Sequence, residues 1–205
     1  MNNSEIRIDK NTLLNFTSPD IEHICVTDIA RVLAKNPRYN GHGVGFKIIS
    51  IAEHSVNVYL MVKKWLRRAG IPKHMLRQYY LSALFHDAHE YIIGDIPTPV
   101  KNAIGRDAIR SSVASLDAAF GEKFEFDATF MHGSSVKTAD AEMLIAEGEW
   151  LFERNNFEYY TTFLQELAAT RPIIHRIGFK RKPKIGLSPV EARDLFLECF
   201  YEIMA

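Results

Sequence analysis

A chain of 205 residues with 47% hydrophobic side chains is long enough to bury a sizeable core and fits one globular domain. Its 25 basic and 25 acidic side chains cancel, which argues against a bulk polyanion binder, and no apolar run approaches the length that spans a bilayer. The first twenty residues carry no apolar signal core, and Cys25 and Cys199 each fall in an apolar pattern, so buried free thiols in a cytoplasmic protein are expected.

Residues 1–24 are mixed and turn-rich, with Ser18-Pro19-Asp20 as punctuation. Thr27-Asp28 predicts the cap of a short helix with Ile29, Val32 and Leu33 inward, stopped before Pro37. Arg38-Tyr39-Asn40-Gly41-His42-Gly43 is a loop by its glycines and gathers a cation, an aromatic ring and an amide. Ser50-Ile51-Ala52-Glu53 matches a capping box and starts a helix at about Ile51. Its inward stripe is Ile51, Ser55, Val58, Met61, Val62 and Trp65, with His54 at the edge, and Gly70-Ile71-Pro72 ends it.

The next helix is expected to reach about Ile93, with Leu76, Tyr80, Ala83, Leu84, Asp87, Ala88 and Tyr91 on one face. Gly94 to Lys101 holds Pro97 and Pro99 and reads as non-helical. Ile109, Val113, Leu116 and Phe120 predict a helix ended by Gly121, and residues 121–135 a loop. From Val136 a long helix carries Val136, Asp140, Met143, Leu144, Glu147 and Leu151 on one face, with a break at Asn155-Asn156 before Phe157, Tyr160, Leu164 and Leu167. Residues 171–186 are irregular and basic. Ser188-Pro189-Val190-Glu191 is a second capping box, and Ala192, Leu195, Phe196, Cys199, Phe200 and Ile203 form the buried face of the last helix. No repeat or strand series stands out, so the expected fold is all-α, with six or so helices around the middle ones.

Asp87 sits in a stripe that otherwise reads as core, where an ionised carboxylate is expensive unless a cation or donor meets it. His86 and Glu90 lie four apart, one turn from each other on a neighbouring face. His54 opens a helix beside an apolar stripe, and Asp140 lies on the inward face of a later one. Two imidazoles and two carboxylates favour a divalent first-row metal, with manganese, iron, cobalt, nickel and zinc all open. Read without chemistry, Asp95 caps its turn, Lys101 and Lys137 are surface lysines, Tyr39 packs, His42 and His89 are satisfied histidines and His132 is incidental.

The order His … His-Asp … Asp resembles the HD-domain metal-dependent phosphohydrolases, and more closely their YfbR-like deoxynucleotidase branch. The matching stretches are Ala52-Glu53-His54-Ser55, Leu84 to Glu90, Gly94 to Lys101 and Lys137-Thr138-Ala139-Asp140, within residues 26–165. The resemblance implies one HD helical bundle over residues 1–205, its metal site between the central helices, with a basic loop and helix at 171–205. It implies His54, His86, Asp87 and Asp140 as metal ligands, Glu90 and Asp95 as the acid–base and water-positioning carboxylates, and Arg38 as a phosphate contact.

A narrower resemblance, through the Arg38-to-His42 loop, the Pro-Thr-Pro-Val-Lys turn and the small size, is to the phage dATP triphosphohydrolases (the DatZ group), which empty the host dATP pool in phages using 2-aminoadenine. It implies Lys101 and Lys137 on the polyphosphate, Pro99 in the base pocket and Tyr39 near substrate, where the nucleotidase branch has tryptophan. It further implies cobalt, zinc or manganese with magnesium as an optional second ion, a homo-oligomer (dimer or hexamer), no membrane and no stable nucleic-acid complex, and the host cytoplasm as location. Three functions follow: hydrolysis of dATP to deoxyadenosine and tripolyphosphate, hydrolysis of deoxynucleoside 5′-monophosphates, or a nucleotide- or nucleic-acid-binding regulatory module using the basic segment 171–184.

Overall fold

The computed structural model describes residues 4–153 and 185–205, with backbone alone at residues 98, 99, 106, 108 and 112. The predicted break at Asn155-Asn156, the apolar positions Phe157 to Leu167 and the basic run from Arg171 to Lys184 lie outside the described residues, as does the side chain of Pro99.

The fold is helical, as expected, with one small exception. Strands β1 (Glu5–Arg7) and β2 (Leu13–Asn15) form an antiparallel hairpin with Ile6 opposite Leu14. Three residues are too few for alternation to mark a strand, so the sequence read only the turn. That turn is organised by Asp9, whose Oδ1 accepts from the backbone N–H groups of Asn11 and Thr12.

The helices are α1 (Val26–Leu33), α2 (Ile51–Arg68), α3 (Lys73–Phe85), α4 (Glu90–Ile93), α5 (Thr98–Ile104), α6 (Arg106–Phe124), α7 (Ser134–Phe152) and α8 (Pro189–Met204). The central one is α2, which packs against α3, α7 and α8. It is buried on nearly every side: Ala52, Val56, Val58, Tyr59, Val62 and Trp65 are all inaccessible. Both predicted capping boxes form. Ser50 and Glu53 exchange hydrogen bonds at the start of α2, and Ser188 and Glu191 do so at α8, with proline in its first turn. Buried Glu53 also accepts the Leu187 backbone N–H at 2.8 Å, tying the start of α8 to the residue before His54.

Several boundaries differ from expectation. Helix α1 begins at Val26 after Cys25, ahead of the Thr27-Asp28 cap; Cys25 is exposed and only Cys199 is buried. Helix α5 starts at Thr98, because proline in a first turn removes a donor that has no helical partner anyway. Helix α6 runs through Gly121 and ends at Phe124, where Glu125 turns left-handed at φ 55°. A Cβ on Gly121 would sit 2.7 Å from the Phe126 carbonyl oxygen, so the glycine admits the returning chain; it does not stop the helix. The loop that follows contains a 3-10 turn over Ala128–His132.

The most consequential difference lies between α3 and α4. The single predicted helix breaks after Phe85, and residues 86–89 form a tight turn. Ala88 N–H donates to Phe85 O at 2.8 Å, Glu90 N–H to Asp87 O at 3.0 Å and Tyr91 N–H to Ala88 O at 3.0 Å, all three-residue bonds. The turn is held from behind by Phe85, whose ring lies 4.8–6.3 Å from those of Phe120, Phe124, Phe126, Phe196 and Phe200. An aromatic cluster from α6, α8 and the loop after α6 therefore fixes where His86 and Asp87 emerge. No helix among the described residues is long and apolar enough to cross a membrane.

Candidate metal centre

Four side chains converge where α2, the α3–α4 turn and α7 meet. His54 Nε2 lies 3.1 Å from His86 Nε2, 3.5 Å from Asp87 Oδ2 and 3.2 Å from Asp140 Oδ1, and His86 Nε2 lies 3.3 Å from Asp87 Oδ2. Metal bonds of about 2.0–2.2 Å put neighbouring donor atoms roughly 3.0–3.5 Å apart, so the His54, His86 and Asp87 spacings fit the edges of a coordination shell, and Asp140 meets this group through its approach to His54. The imidazoles are buried, whereas Asp87 and Asp140 are 20% and 43% exposed, which leaves one side open. His86 is oriented by its backbone: Nδ1 donates to Ala83 O at 2.9 Å, which turns Nε2 toward the cluster.

The electrostatics also fit a cation. Burial and Arg38 press the His54 pKa down, but Glu147 and Asp140 outweigh them and push it up to about 10. Burial would raise Asp87, yet His86 beside it, then His54 and Arg38, hold its carboxyl well below the usual range. Asp140 is lowered likewise, with His54 overcoming burial. This concentration of carboxylates draws positive charge to its centre, and two imidazoles with two carboxylates suit a divalent first-row ion.

Glu90 comes under Asp87 because residues three apart eclipse in a 3-10 turn, and the ligand atoms of Asp87, His89 and Glu90 lie within 4.8 Å of one another. The predicted four-residue relation of Glu90 to His86 is replaced by this one. Glu90 is buried; its Oε1 lies 3.7 Å from Lys101 Nζ, and its Oε2 has no hydrogen-bond partner among the described residues. Burial first, then Asp87 and Asp95, pushes its carboxyl well above the usual range. A protonatable carboxyl with one free oxygen beside the cluster is suited to handling a water proton.

Arg38 is buried against the centre, with NH1 3.3 Å from Asp87 Oδ2 and Nε 2.8 Å from Glu147 Oε2. Its turn is unusual: Tyr39 and Asn40 both have left-handed backbone, at φ 54° and 51°. Asp95 holds that turn by accepting the Tyr39 N–H at 2.8 Å. Tyr39 itself packs, its hydroxyl donating to Leu144 O at 3.0 Å and its ring edge-on to Phe152 at 5.7 Å. Lys137 is exposed on α7 one turn before Asp140, and His42 is exposed as well.

Sequence reasoning gave no role to Glu147, although it placed this residue on the inward face of its helix. It also read His132 as incidental and His89 as merely satisfied. Both meet buried Asp117: His89 Nδ1 at 3.0 Å from Oδ1 and His132 Nε2 at 3.3 Å from Oδ2. A cavity of about 750 Å³ is lined by Pro37, Lys47, Glu53, Trp150 and Gly186, but by none of the four donors, so the cluster and not this cavity places the chemistry.

The fold is similar to that of a solved HD phosphohydrolase, and part of the chain matches a related family model. Residues 45–125 match the family model of the 5′-deoxynucleotidase YfbR-like proteins. Two curated proteins match parts of the chain. An uncharacterised protein of Rhodobacter capsulatus is 45% identical over 96 residues, 46% of this chain and 43% of its own. The dATP triphosphohydrolase of Cyanophage S-2L is 46% identical over 52 residues, 25% of this chain and 30% of its own. The chain thus spans less than half the length of these relatives. Among solved structures, the Cyanophage S-2L HD phosphohydrolase DatZ, bound to dA and one catalytic zinc ion, shares the fold with a TM-score of 0.55 at 19% identity, covering 88% of this chain and 98% of that one.

Proposed function

We propose that the protein is a metal-dependent deoxynucleotide phosphohydrolase that cleaves dATP at the phosphorus nearest the deoxyribose, releasing deoxyadenosine and tripolyphosphate. The observation that carries this reading is His54, His86 and Asp87 with donor atoms 3.1–3.5 Å apart, Asp140 3.2 Å from His54, and Arg38 buried against Asp87. The stretch of 46% identity to a phage dATP triphosphohydrolase supports the triphosphate substrate. The YfbR-like description supports a second reading, hydrolysis of deoxynucleoside 5′-monophosphates.

His54, His86, Asp87 and Asp140 would hold the ion, with zinc, cobalt or manganese suited to the donors. Bound there, a divalent ion supplies Lewis acidity and lowers the pKa of water. The free Oε2 of Glu90 takes the proton from the attacking water. A P–O bond forms to that water, the bond to the 5′ oxygen breaks, and the 5′ oxygen receives the proton that Glu90 accepted. Arg38 offsets charge on the phosphoryl oxygens, and Lys101 and Lys137 hold the outer phosphates. Asp95 keeps the Arg38 turn in place, and Pro99 borders the base.

The test is a panel of the four dNTPs, 2-aminoadenine dATP and the matching monophosphates, each with zinc, cobalt or manganese. Tripolyphosphate from dATP is the expected product. Orthophosphate from monophosphates alone would move the assignment to the nucleotidase reading, and metal-independent turnover would remove the reading altogether.

A further inference from the structure

Glu147 lies two turns past Asp140 on α7 and is fully buried. An ionised carboxylate at that depth costs several kcal/mol unless both oxygens are met. Oε1 is hydrogen-bonded to His54 Nδ1 at 2.8 Å, and Oε2 is met by charge, as an ion pair 2.8 Å from Arg38 Nε without hydrogen-bond alignment. One carboxylate thus faces the far side of a candidate metal ligand and the flank of a candidate phosphate-binding guanidinium. These come from α2 and from the turn after α1; Asp87 Oδ2 also lies near both, at 3.5 Å and 3.3 Å, but on the side of the open centre, whereas Glu147 meets them from the buried side. We infer that Glu147 is a positioning residue that sets the metal ligand and the phosphate contact together; the inference rests on the metal-site reading above.

The physical argument has two parts. By accepting the His54 Nδ1 proton, Glu147 fixes the tautomer whose Nε2 lone pair faces Asp140, Asp87 and His86, and it makes that nitrogen a stronger donor. By its charge 2.8 Å from Arg38 Nε, it holds the buried guanidinium in place with terminal NH1 toward Asp87. Removing the charge therefore weakens metal binding without touching a metal ligand, and weakens phosphate binding without touching the arginine.

The experiment measures metal affinity without substrate, by chelator competition for zinc, in wild type, Glu147→Gln and Glu147→Leu. The glutamine is isosteric and keeps one acceptor for His54, so it serves if the leucine variant does not fold. Metal affinity is expected to fall about tenfold in Glu147→Gln and up to a hundredfold in Glu147→Leu. In the zinc-loaded wild type the His54 Nδ1 proton should appear at low field in the NMR spectrum, and it should move upfield in Glu147→Gln. At saturating metal, KM for the nucleotide should rise in Glu147→Gln. Folded Glu147→Gln with zinc affinity within twofold of wild type and an unmoved His54 proton would overturn the inference and leave the metal site standing. A wild type that binds no zinc would overturn both.

Discussion

The backbone N–H of Tyr39 donates to Asp95 Oδ2 at 2.8 Å, joining two turns that are 56 residues apart. Tyr39 and Asn40 hold left-handed backbone without being glycine, a conformation that costs on the order of 1 kcal/mol per residue. Asp95 is the side chain that compensates that strain and keeps Arg38 directed at Asp87. Asparagine keeps an acceptor at this position and alanine does not. Asp95→Ala should therefore lose about 1–3 kcal/mol of stability, and its KM should rise about tenfold. Asp95→Asn should keep kcat within roughly threefold, since one acceptor suffices for the turn. Steady-state kinetics decide between anchoring and proton transfer: a collapse of kcat in Asp95→Asn would show that Asp95 handles a proton.

Metal removal should cost stability because the folded chain gathers the donors and the unfolded chain does not. A ligand at 100–1,000 times its Kd contributes about 2.7–4.1 kcal/mol, which for a chain of this size is roughly 5–16 °C in Tm. Dialysis against a chelator should lower Tm by that order, and zinc or manganese should restore it. Asp87→Ala should lose the metal-dependent shift together with turnover. If its shift matches wild type in a thermal scan, Asp87 is not a ligand.

Glu90 is separable from the ligands by the same measurements. Its Oε2 has no partner among the described residues, and burial with Asp87 and Asp95 raises its pKa. Glu90→Gln should lower kcat by about 10²–10⁴ while leaving zinc affinity near wild type. An equal loss of zinc affinity would make Glu90 a ligand and would require another base.

The parts of the fold legible in sequence are those written in local chemistry. The two capping boxes locate the starts of α2 and α8 because a Ser and a Glu three residues on satisfy each other wherever the chain sits. The stripes of α2 and α8 are long enough for a helical period to show. The turn at residues 86–89 was hidden because five residues of apolar spacing look alike in an α-helix and in a 3-10 turn. Asp87 and Asp140 stood out as carboxylates on apolar faces, His54 at the edge of one and His86 beside Asp87, and the structure brings His54 close to the other three. Glu147 carries the same signal, seven residues after Asp140 on the same inward stripe, and could have been found by it. The His89–Asp117–His132 group could not, since its members are joined only by tertiary contact.

Gly121 tests whether close packing overrides helix propensity. Within a helix, alanine is ordinarily better than glycine by about 1 kcal/mol. Here the added Cβ would meet the Phe126 carbonyl oxygen at 2.7 Å and Ala128 Cβ at 3.2 Å, and a backbone oxygen cannot rotate away. Overpacking of this kind costs about 1–3 kcal/mol, so Gly121→Ala should be net destabilising in urea. The loop it displaces carries Phe126, one of the rings around Phe85, so zinc affinity should fall with stability. A gain in stability would show that the loop after α6 yields easily and is no support for the His86-Asp87 turn.

Asp117 gives the protein a predictable response to acid. Burial would raise its carboxyl, but hydrogen bonds from His132 and His89, with their charge, outweigh burial and lower it. A carboxyl lowered on folding binds fewer protons folded than unfolded, so its contribution is present above the unfolded value of about 3.9 and is lost as pH falls through the folded one. Asp117→Asn removes that dependence and leaves two imidazoles facing a neutral amide. Stability of Asp117→Asn should be lower by about 1–3 kcal/mol at pH 7, and its decline below about pH 4 should be shallower than that of wild type. Urea unfolding at pH 3, 4, 5 and 7 measures both. Parallel acid limbs for the two proteins would mean that Asp117 is not held low by its histidines.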